Sequence, residues 1–354
     1  MKVALMNCYS SKNSGDGLLV ELACQYIKKQ HGQDTEIIIV CSDPDSFNGD
    51  YQVLGNEFSR SGILGHVAVL LKVIGFLLFG RYSAKQYQSL QNCDRFYSVG
   101  GGYLRFGSLS EALKTLIVHC SQIAWVKSNI NQPHILLSQS IGPLRYVYSA
   151  WLSRLLANTE QVFVRDDKTV AELKNINLQS TRVKDMAVSE LIRKFDSLEV
   201  STLPHSSTCI LILRDLRRGK AVNHKFLKEL EPVLAQFESV VYAVQSEVNS
   251  NNDGDFYQQY GISDFISVKE ALTKYPQALV ISVRLHGAIE SLLAGFKTFH
   301  LSYERKGFGA YQDLNISEYV DNAYNFNSVE VEERVAKLRA MNEMDFFNQI
   351  RASL

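Results

Sequence analysis

The chain has 354 residues, more than one typical hydrophobic core supports, and this length suits two domains. Its hydrophobic content of 46% and charged content of 21% are those of an ordinary globular protein. Lys plus Arg equals Asp plus Glu, 37 each, so no overall positive field directs the chain onto nucleic acid, and we expect no such partner.

The cysteine pattern and the first residues indicate the cellular compartment. The six cysteines are scattered, and no two of them form a C-x-x-C pair. This spacing disfavours a zinc site and is typical of reduced, buried thiols. Residues 3–6 predict a buried strand rather than a signal peptide. We therefore expect a cytoplasmic protein with no bound metal.

A strand, a helix and a second strand open the chain. Residues 3–6 and 36–41 predict the strands, and residues 18–29 predict the helix between them. This connection makes the strands parallel, so the loop of residues 7–17 lies at the carboxyl end of the first strand, where open sheets bind ligands. The loop matches no nucleotide-binding fingerprint. Asp16 is either a ligand-binding carboxylate here or the N-cap of the helix.

Residues 63–79 are nearly all apolar, but His66 and Lys72 interrupt them and the stretch is short for a membrane span. Basic residues flank the stretch at Arg60, Arg81 and Lys85. Two interpretations stay open. The stretch forms a helix buried between domains or in a homo-oligomer, or it lies in a membrane interface with its basic flanks on anionic lipid. The second interpretation predicts peripheral contact with the inner face of the cytoplasmic membrane.

The rest of the first half alternates strands with helices, and its strands end in glycine-rich or polar turns. Three predicted strands end in this way: residues 94–99 before Gly100, Gly101 and Gly102, residues 134–138 before Gln139 and Gly142, and residues 162–164 before Arg165 and Asp166. Glycine lets a backbone approach a ligand closely, which favours a substrate-binding role for the triplet. We interpret Arg165 and Asp166 as a structural ion pair, and Asp185 as a structural residue at the domain junction.

The second half repeats the strand and helix alternation after a polar linker at residues 198–208. A strand over residues 209–213 ends at Arg214, and a strand over 279–283 precedes Arg284, His286 and a helix. Arginine presents a planar fork of donors that fits a carboxylate or phosphate, and the amino end of a helix favours anions. We interpret Arg284 and His286 as an anion site. The alternative is that Arg284 caps its loop and His286 fills a core gap.

Seven short motifs occur in a fixed order along the chain. They are Asn13-x-Gly15-Asp16, Gly100-Gly101-Gly102, Gln139-x-Ile141-Gly142-Pro143, Val164-Arg165-Asp166, Asp185-x-Ala187, Arg284-Leu285-His286 and Ser302-Tyr303-x-x-Lys306. Each motif is weak alone, but the ordered set resembles the polysaccharide pyruvyl transferase family from residue 1 to about residue 320.

This resemblance implies an α/β fold like that of the GT-B glycosyltransferases, with two Rossmann-like domains facing across a cleft. Residues 1–200 would form the acceptor side and residues 209–327 the donor side. A C-terminal helical segment, residues 328–354, would pack back on the N-terminal domain.

The resemblance also implies a reaction. Phosphoenolpyruvate would donate pyruvate to two hydroxyls of a sugar, giving a cyclic ketal and phosphate without a further cofactor. The acceptor would be a polyprenyl-linked repeat unit of a capsular polysaccharide, an exopolysaccharide or a cell-wall glycan. By resemblance, Arg214, Arg284, Leu285, His286 and Lys306 would bind the donor; Asn13, Gly15, Asp16, Gly101, Gly102 and Gln139 the acceptor; and His286, Arg284 and Asp16 would be catalytic.

One departure from the family pattern concerns the catalytic base. Family members often carry an acidic residue soon after the glycine triplet, whereas here the next acidic residue is Glu111. The candidates for the base are therefore Asp16, Glu111 and Asp166, of which we prefer Asp16. Two rival functions stay open: a GT-B glycosyltransferase that uses a nucleotide sugar, for which Glu290 could be misread as the ribose-binding acid, and a non-catalytic scaffold of a polysaccharide assembly complex.

Overall fold

A computed structural model describes residues 1–47, 51–57, 62–157, 159–194, 207–247 and 252–352. The chain divides into two compact units. The first unit comprises Met1–Ser11 and Asp16–Met186, and the second comprises Lys12–Gly15 and Ala187–Leu354. Most of the linker predicted at residues 198–208 lies outside the described residues. The domain boundaries 1–200, 209–327 and 328–354 stay a prediction.

The strands of the first unit form one parallel sheet in the order β3-β2-β1-β4-β6-β7-β8, with β5 beside β6. They are β1 (Lys2–Cys8), β2 (Glu36–Cys41), β3 (Gln52–Gly55), β4 (Arg95–Ser98), β5 (Gly101–Leu104), β6 (His134–Ile141), β7 (Gln161–Val164) and β8 (Thr181–Arg182). Helices pack on the sheet: α1 (Ser14–His31), α2 (Ile63–Phe79), α3 (Leu109–Thr115), α4 (Ser121–Asn129), α5 (Tyr146–Leu156) and α6 (Asp167–Lys174).

The core of the first unit covers both faces of this sheet. Successive residues of β1 point to opposite faces, so Val3 and Leu5 join a different apolar cluster from Ala4 and Met6. Both clusters are buried, which explains why the strands of a parallel sheet read as continuous apolar runs rather than as alternating patterns.

Two predictions for the first unit were wrong in extent. The helix predicted over residues 18–29 begins four residues earlier, at Ser14, so the predicted loop of residues 7–17 is shorter. The glycine triplet does not form the predicted turn. Gly101 begins another strand, β5, which pairs with β6 through Gly101 opposite Gln139 and Leu104 opposite Ile141. The burial of Leu104 and Phe106 favours this added strand over a tight turn.

The second unit contains another parallel sheet, in the order β11-β10-β9-β12-β13-β14. Its strands are β9 (Thr208–Ile212), β10 (Ser239–Val244), β11 (Ile266–Ser267), β12 (Leu279–Ser282), β13 (Thr298–Ser302) and β14 (Val320–Asn322). The remaining helices of the chain are α7 (Met186–Lys194), α8 (Lys220–Leu234), α9 (Asp253–Gln259), α10 (Val268–Lys274), α11 (Leu285–Leu293), α12 (Arg305–Asp313), α13 (Ser328–Ala340) and α14 (Glu343–Arg351).

The chain ends in two helices, α13 and α14, where the sequence predicts a single helical segment over residues 328–354. The break falls at Met341 and Asn342, because the Asn342 side chain caps α14 by accepting from the Met344 N–H at 2.8 Å. The Lys297 ammonium donates to the Arg339 carbonyl at 3.1 Å and holds the end of α13 within the second unit. The predicted packing of residues 328–354 on the N-terminal half stays a prediction.

Two whole-chain expectations can be compared with the structure. All six cysteines are buried and none is in a disulfide, as the sequence predicts. None of the helices in the described part of the chain has the length and apolar content to cross a membrane.

Candidate functional site

Two arginines occupy equivalent positions at the carboxyl edge of the second sheet. Strands β9 and β12 are parallel neighbours in which Ile212 lies opposite Ser282. Arg214 lies two residues after Ile212, and Arg284 lies two residues after Ser282. Both arginines are buried. The Val283 N–H donates to the Ile212 carbonyl at 2.8 Å and extends the pairing past the strands. The register therefore brings two guanidinium groups to the same edge of the sheet.

Arg284 is oriented by a buried carboxylate. Its Nε donates to Asp253 Oδ1 at 3.0 Å, and its Nη2 donates to the same oxygen. The other carboxylate oxygen, Oδ2, accepts from the backbone N–H groups of Gln245 at 3.2 Å and Ser246 at 3.1 Å. Burial raises the pKa of Asp253, and the contact with Arg284 opposes that rise. Asp253 thus fixes the direction of the guanidinium at the start of α11.

Arg214 is held by groups from its own turn and from the end of β13. Its Nε donates to the Asp215 carbonyl at 3.1 Å, and its Nη1 donates to the Tyr303 hydroxyl at 2.5 Å. Burial lowers the pKa of Arg214, and the positive charge of Arg284 acts in the same direction. Two buried cations that disfavour one another are stabilised when an anion binds between them or beside them.

His286 lies in the first turn of α11 and contacts the segment Lys12–Gly15, which belongs to the second unit. A Cβ on Gly15 would stand 2.5 Å from both Cβ and Nδ1 of His286. No side chain fits in that space, so the position requires glycine. The Gly15 backbone therefore covers one side of the imidazole.

An antiparallel bridge and a side-chain hydrogen bond fix this segment to the second unit. The bridge joins Asn13 to Ser246, and one of its hydrogen bonds is donated by the Ser14 N–H to the Gln245 carbonyl at 3.2 Å. The Ser14 hydroxyl donates to Glu290 Oε2 at 3.0 Å. Burial raises the pKa of Glu290, and this hydrogen bond opposes the rise. Glu290, which could be misread in the sequence as a ribose-binding acid, thus anchors Ser14.

Asn13 also starts the first helix. Its side-chain oxygen accepts from the Gly15 N–H at 3.2 Å, which is the bond that an N-cap residue makes. Asp16 lies in the first turn of α1 and is not the N-cap. Asn13 and Gly15 are thus brought together with His286, and their predicted role in acceptor binding stays a prediction.

Two further predicted donor residues lie at helix starts in the second unit. Leu285 is the first residue of α11 and its side chain is buried. Lys306 lies on α12, in a stretch where the sequence predicts no helix, and its ammonium is 3.0 Å from Glu304 Oε2. Their roles in donor binding stay predictions.

The predicted acceptor residues Gly101 and Gly102 begin β5, and Gln139 lies near the carboxyl end of β6, all in the first unit. Gln139 is buried, and its Nε2 donates to the Val99 carbonyl at 2.5 Å and to the Tyr103 hydroxyl at 2.8 Å. These bonds position the side chain firmly, and its function in acceptor binding stays a prediction.

The predicted ion pair between Arg165 and Asp166 was wrong. Arg165 pairs instead with Asp185 and donates to Ser140 Oγ at 2.9 Å, and this ion pair is buried. Asp166 caps α6 by accepting from the Thr169 N–H at 2.8 Å. Because adjacent residues after a strand point in different directions, neighbours in sequence need not pair. The structural role predicted for Asp185 is consistent with its contact with Arg165.

Glu111, one candidate for the base, forms an ion pair with Arg105 at 3.3 Å, and both side chains are partly exposed. The preference for Asp16 as the base stays a prediction.

A buried polar cluster at the end of β1 has no counterpart in the sequence predictions. Asn7, in a left-handed conformation (φ 64°), donates from Nδ2 to the His119 carbonyl at 3.0 Å. Its side-chain oxygen accepts from Ser98 Oγ at 2.8 Å, so His134 Nε2 must donate to that same hydroxyl at 3.0 Å. Burial lowers the pKa of His134 to about 3. The imidazole is therefore neutral, with its proton on Nε2.

Sequence reasoning also missed Asp253 and Tyr303, which hold the two arginines. Asp253 follows Asn252, whose side chain caps α9 by accepting from the Gly254 N–H at 2.9 Å. The Asn-Asp-Gly sequence therefore indicates only the start of a helix and not a partner for an arginine. Tyr303 belongs to the motif Ser302-Tyr303-x-x-Lys306, but nothing in the sequence connects this tyrosine to Arg214. In the described residues, no group of three or more His, Cys, Asp or Glu could hold a metal ion.

A comparison with protein families decides the relationship. The family model for polysaccharide pyruvyl transferase matches residues 13–305, which is most of the chain. The chain belongs to the polysaccharide pyruvyl transferase family. The match includes Gly15 and His286, which contact one another, and ends one residue before Lys306. No curated protein matches the sequence of this pyruvyl transferase family member.

Solved structures with a similar fold are distant in sequence. The UDP-GlcNAc 2-epimerase of Methanocaldococcus jannaschii, in complex with UDP-GlcNAc and UDP, is 10% identical with a TM-score of 0.50, over 97% of this chain and 94% of that chain. Phytolacca americana UGT2, complexed with UDP-2-fluoro-glucose and pterostilbene, is 10% identical with a TM-score of 0.50, over 99% and 93%. At this identity the likeness concerns the fold alone, and it confirms the predicted GT-B-like α/β class.

Proposed function

We propose that this member of the family transfers pyruvate from phosphoenolpyruvate to two hydroxyls of one sugar in a bacterial glycan repeat unit. The products are a cyclic pyruvate ketal and phosphate. The observation that carries the proposal is the pair of buried arginines, Arg214 and Arg284, two residues past the same register position of adjacent strands.

The donor chemistry suits this pair. Phosphoenolpyruvate carries a carboxylate and a phosphate, and each fits the planar fork of a guanidinium. The amino end of α11, with Arg284 as its N-cap, adds backbone N–H groups and partial positive charge. Asp253 contacts Arg284 and orients its guanidinium, and a dianionic or trianionic donor would add negative charge beside both arginines.

The reaction steps use His286 as the general acid. Its proton goes to the methylene carbon C3 of the donor, which leaves C2 electrophilic. One sugar hydroxyl adds to C2 and gives up its proton to a base, for which we propose Asp16. A second hydroxyl of the same sugar then bonds to C2 and returns its proton to His286 as the C2–O bond to phosphate breaks, and the phosphate leaves with the electron pair. Imidazole is suited to this proton transfer near neutral pH.

The acceptor in this proposal is a sugar of a glycan repeat unit. We propose that Asn13, Gly15 and Asp16, with Gly101, Gly102 and Gln139 of the first unit, bind the sugar. A polyprenyl-linked repeat unit of a capsular polysaccharide, an exopolysaccharide or a cell-wall glycan would bring the enzyme to the inner face of the cytoplasmic membrane. The reaction as proposed needs no cofactor besides phosphoenolpyruvate.

The test replaces each arginine by lysine. Arg284→Ala would leave Asp253 buried without its cation, at a cost of about 3–5 kcal/mol, and could unfold the protein. Arg214→Lys and Arg284→Lys keep the charge and remove the bidentate fork. We expect each to lower phosphate release from phosphoenolpyruvate, in the presence of acceptor glycans, by about a hundredfold. Arg334→Lys is the matched control, because Arg334 also pairs with a carboxylate, Asp321, in the same unit.

Thermal unfolding distinguishes the rival functions. We expect phosphoenolpyruvate to raise the unfolding temperature of the natural protein and of Arg334→Lys, but not of the two site variants. A rise with UDP- or GDP-sugars and none with phosphoenolpyruvate would identify a glycosyltransferase. No rise with either donor class would support the scaffold.

A further inference from the structure

One helix of the first unit carries an unusual share of the exposed apolar surface. Twelve large apolar side chains are exposed in the described residues, and six of them are on α2. They are Ile63, Leu64, Val67, Leu71, Leu78 and Phe79, with exposed fractions between 51% and 86%. Single exposed apolar residues are ordinary, but a contiguous group on one helix marks a surface that contacts something apolar.

Helix α2 has two apolar faces, and the first unit covers one of them. Val69, Val73, Phe76 and Leu77 are buried in the core. Leu64, Val67, Leu71 and Leu78 follow helical spacing on the opposite side and form an exposed stripe. A helix that is apolar all round is normally buried on every side. The stripe therefore needs an apolar partner outside the unit.

The charge around α2 indicates which partner. The chain as a whole is balanced, yet residues 63–93 and residues 112–159 contain no aspartate or glutamate. The same two segments contain Lys72, Arg81, Lys85, Lys114, Lys127, Arg145 and Arg154. The segments that contain α2 and its packing neighbours α4 and α5 therefore carry basic residues and no acidic one, which matches an anionic lipid surface better than a second neutral protein face.

Basic side chains gather at the carboxyl end of α2. Arg81 and Lys85 are exposed just past Gly80, the C-cap of the helix. Arg154 Nη2 is 3.6 Å from the position that a Cβ on Gly80 would take, so α5 contributes a further guanidinium there. Glu57, an acidic residue that contacts α2, is paired with Lys72 at 2.7 Å and its side chain is only 10% exposed. This acid therefore does little to repel an anionic surface.

We infer that α2 binds the surface of a membrane that contains anionic phospholipids. Its exposed stripe enters the boundary between headgroups and acyl chains, and Arg81, Lys85 and Arg154 contact lipid phosphates. The helix lies in the plane of the membrane: it has 17 residues, about 25 Å of helix, and one of its sides is committed to the core of the first unit. This inference does not depend on the donor chemistry.

Co-sedimentation of the full chain with vesicles tests the inference. The vesicles are phosphatidylcholine alone, or phosphatidylcholine with about a third phosphatidylglycerol, which models the anionic surface. We expect the natural protein to bind the second kind. Leu71→Glu with Leu78→Glu should lower that binding about tenfold or more. Val329→Glu with Met344→Glu adds the same charges at exposed apolar positions of α13 and α14 and should bind normally.

A second variant tests the charge term. Arg81→Gln with Lys85→Gln should weaken binding to the anionic vesicles by about fivefold for each residue, and the effect should fade at high salt. All the substituted residues are exposed, so the variants should unfold at the temperature of the natural protein.

Three outcomes would overturn the inference. The natural protein could fail to sediment with either vesicle, or the α2 double variant could bind as well as the control. A lipid-free dimer that the α2 substitutions dissociate would show that a second copy of the chain covers the stripe. The sedimentation coefficients of the natural protein and of each variant, measured without vesicles, would detect such a dimer and its loss.

Discussion

At the scale of single residues, the candidate site depends on contacts that sequence neighbours do not reveal. The Arg-Leu-His sequence after an apolar run predicts an anion site, because strand ends and helix starts meet there. The same sequence leaves open whether Arg284 is a loop cap. Only the structure shows that Asp253, from another helix, sets its direction. The second arginine was predicted by resemblance, and the register of β9 with β12 gives the physical reason for it.

Gly15 is the residue for which the structure gives the sharpest reason. Gly15→Ala would place a methyl group 2.5 Å from His286, so either the imidazole or the segment must move. We expect a loss of about 1–3 kcal/mol in the free energy of unfolding. Displacement of His286 should also lower kcat/KM for phosphoenolpyruvate about tenfold to a hundredfold. Denaturant titration and phosphate release measure the two effects separately.

The control for this substitution is Gly309→Ala. Gly309 lies on α12 in the same unit, and a Cβ there meets no described atom within 4 Å. Alanine favours a helix over glycine, so this variant should be more stable by up to about 1 kcal/mol and fully active. If Gly15→Ala behaved like Gly309→Ala in both measurements, the close contact with His286 would not matter to the protein.

At the scale of elements, apolar patterning predicts strands better than their ends. The β-branched run Ile37-Ile38-Ile39-Val40 predicts β2 at the bounds observed. The predicted strand at residues 134–138 continues to Ile141 as β6, because the glycine triplet adds β5 beside it and supplies backbone partners for its last residues. Polar residues such as Gln139 read as a loop, and only the long-range pairing makes them part of a strand.

The polar cluster of β1, β4 and β6 has a consequence for stability against pH. Folding lowers the pKa of His134 from about 6.5 to about 3, so the neutral form is favoured in the folded state. The neutral His134 imidazole stabilises the folded state in full at pH values above the unfolded pKa of about 6.5. This stabilisation is lost as the pH falls towards the folded pKa of about 3. Below about pH 6.5 this loss is about 1.4 kcal/mol per pH unit.

We therefore expect His134→Gln to flatten the pH dependence of the free energy of unfolding between pH 7 and pH 5. Glutamine keeps an N–H donor for Ser98 and does not titrate. Both tryptophans, Trp125 and Trp151, belong to the first unit, so their fluorescence reports its unfolding in urea. His224→Gln, at an exposed histidine of the second unit, is the control. Equal slopes for the natural protein and His134→Gln would contradict the expectation.

At the scale of the whole molecule, the sequence predicted two α/β halves, each with a parallel sheet, and the family to which they belong. The sequence did not predict that Lys12–Gly15 belongs to the second unit, whereas the residues on either side of this segment belong to the first unit. That assignment arises from bonds to Gln245, Ser246 and Glu290, which lie more than 200 residues away in sequence. No periodicity or local motif reports contacts of that range.

The division into units allows the location of the donor to be tested in the intact protein. If phosphoenolpyruvate binds Arg214 and Arg284, it should slow amide hydrogen exchange in the second unit at residues 214–216 and 284–287. With donor at a hundred times its Kd, local openings that release it should be about a hundredfold rarer. Exchange in the first unit at residues 101–104 should not change, because the acceptor is absent.

Arg284→Lys in the same experiment separates specific binding from a general effect of the anion. We expect its exchange rates to be the same with and without phosphoenolpyruvate, since the bidentate contact is gone while the charge remains. Inorganic phosphate, which lacks the carboxylate, should protect residues 214–216 and 284–287 less than the donor does, because only one of the two guanidinium sites is filled. Protection confined to residues 101–104 and 139–141 would place the donor in the first unit and would contradict the role proposed for both arginines.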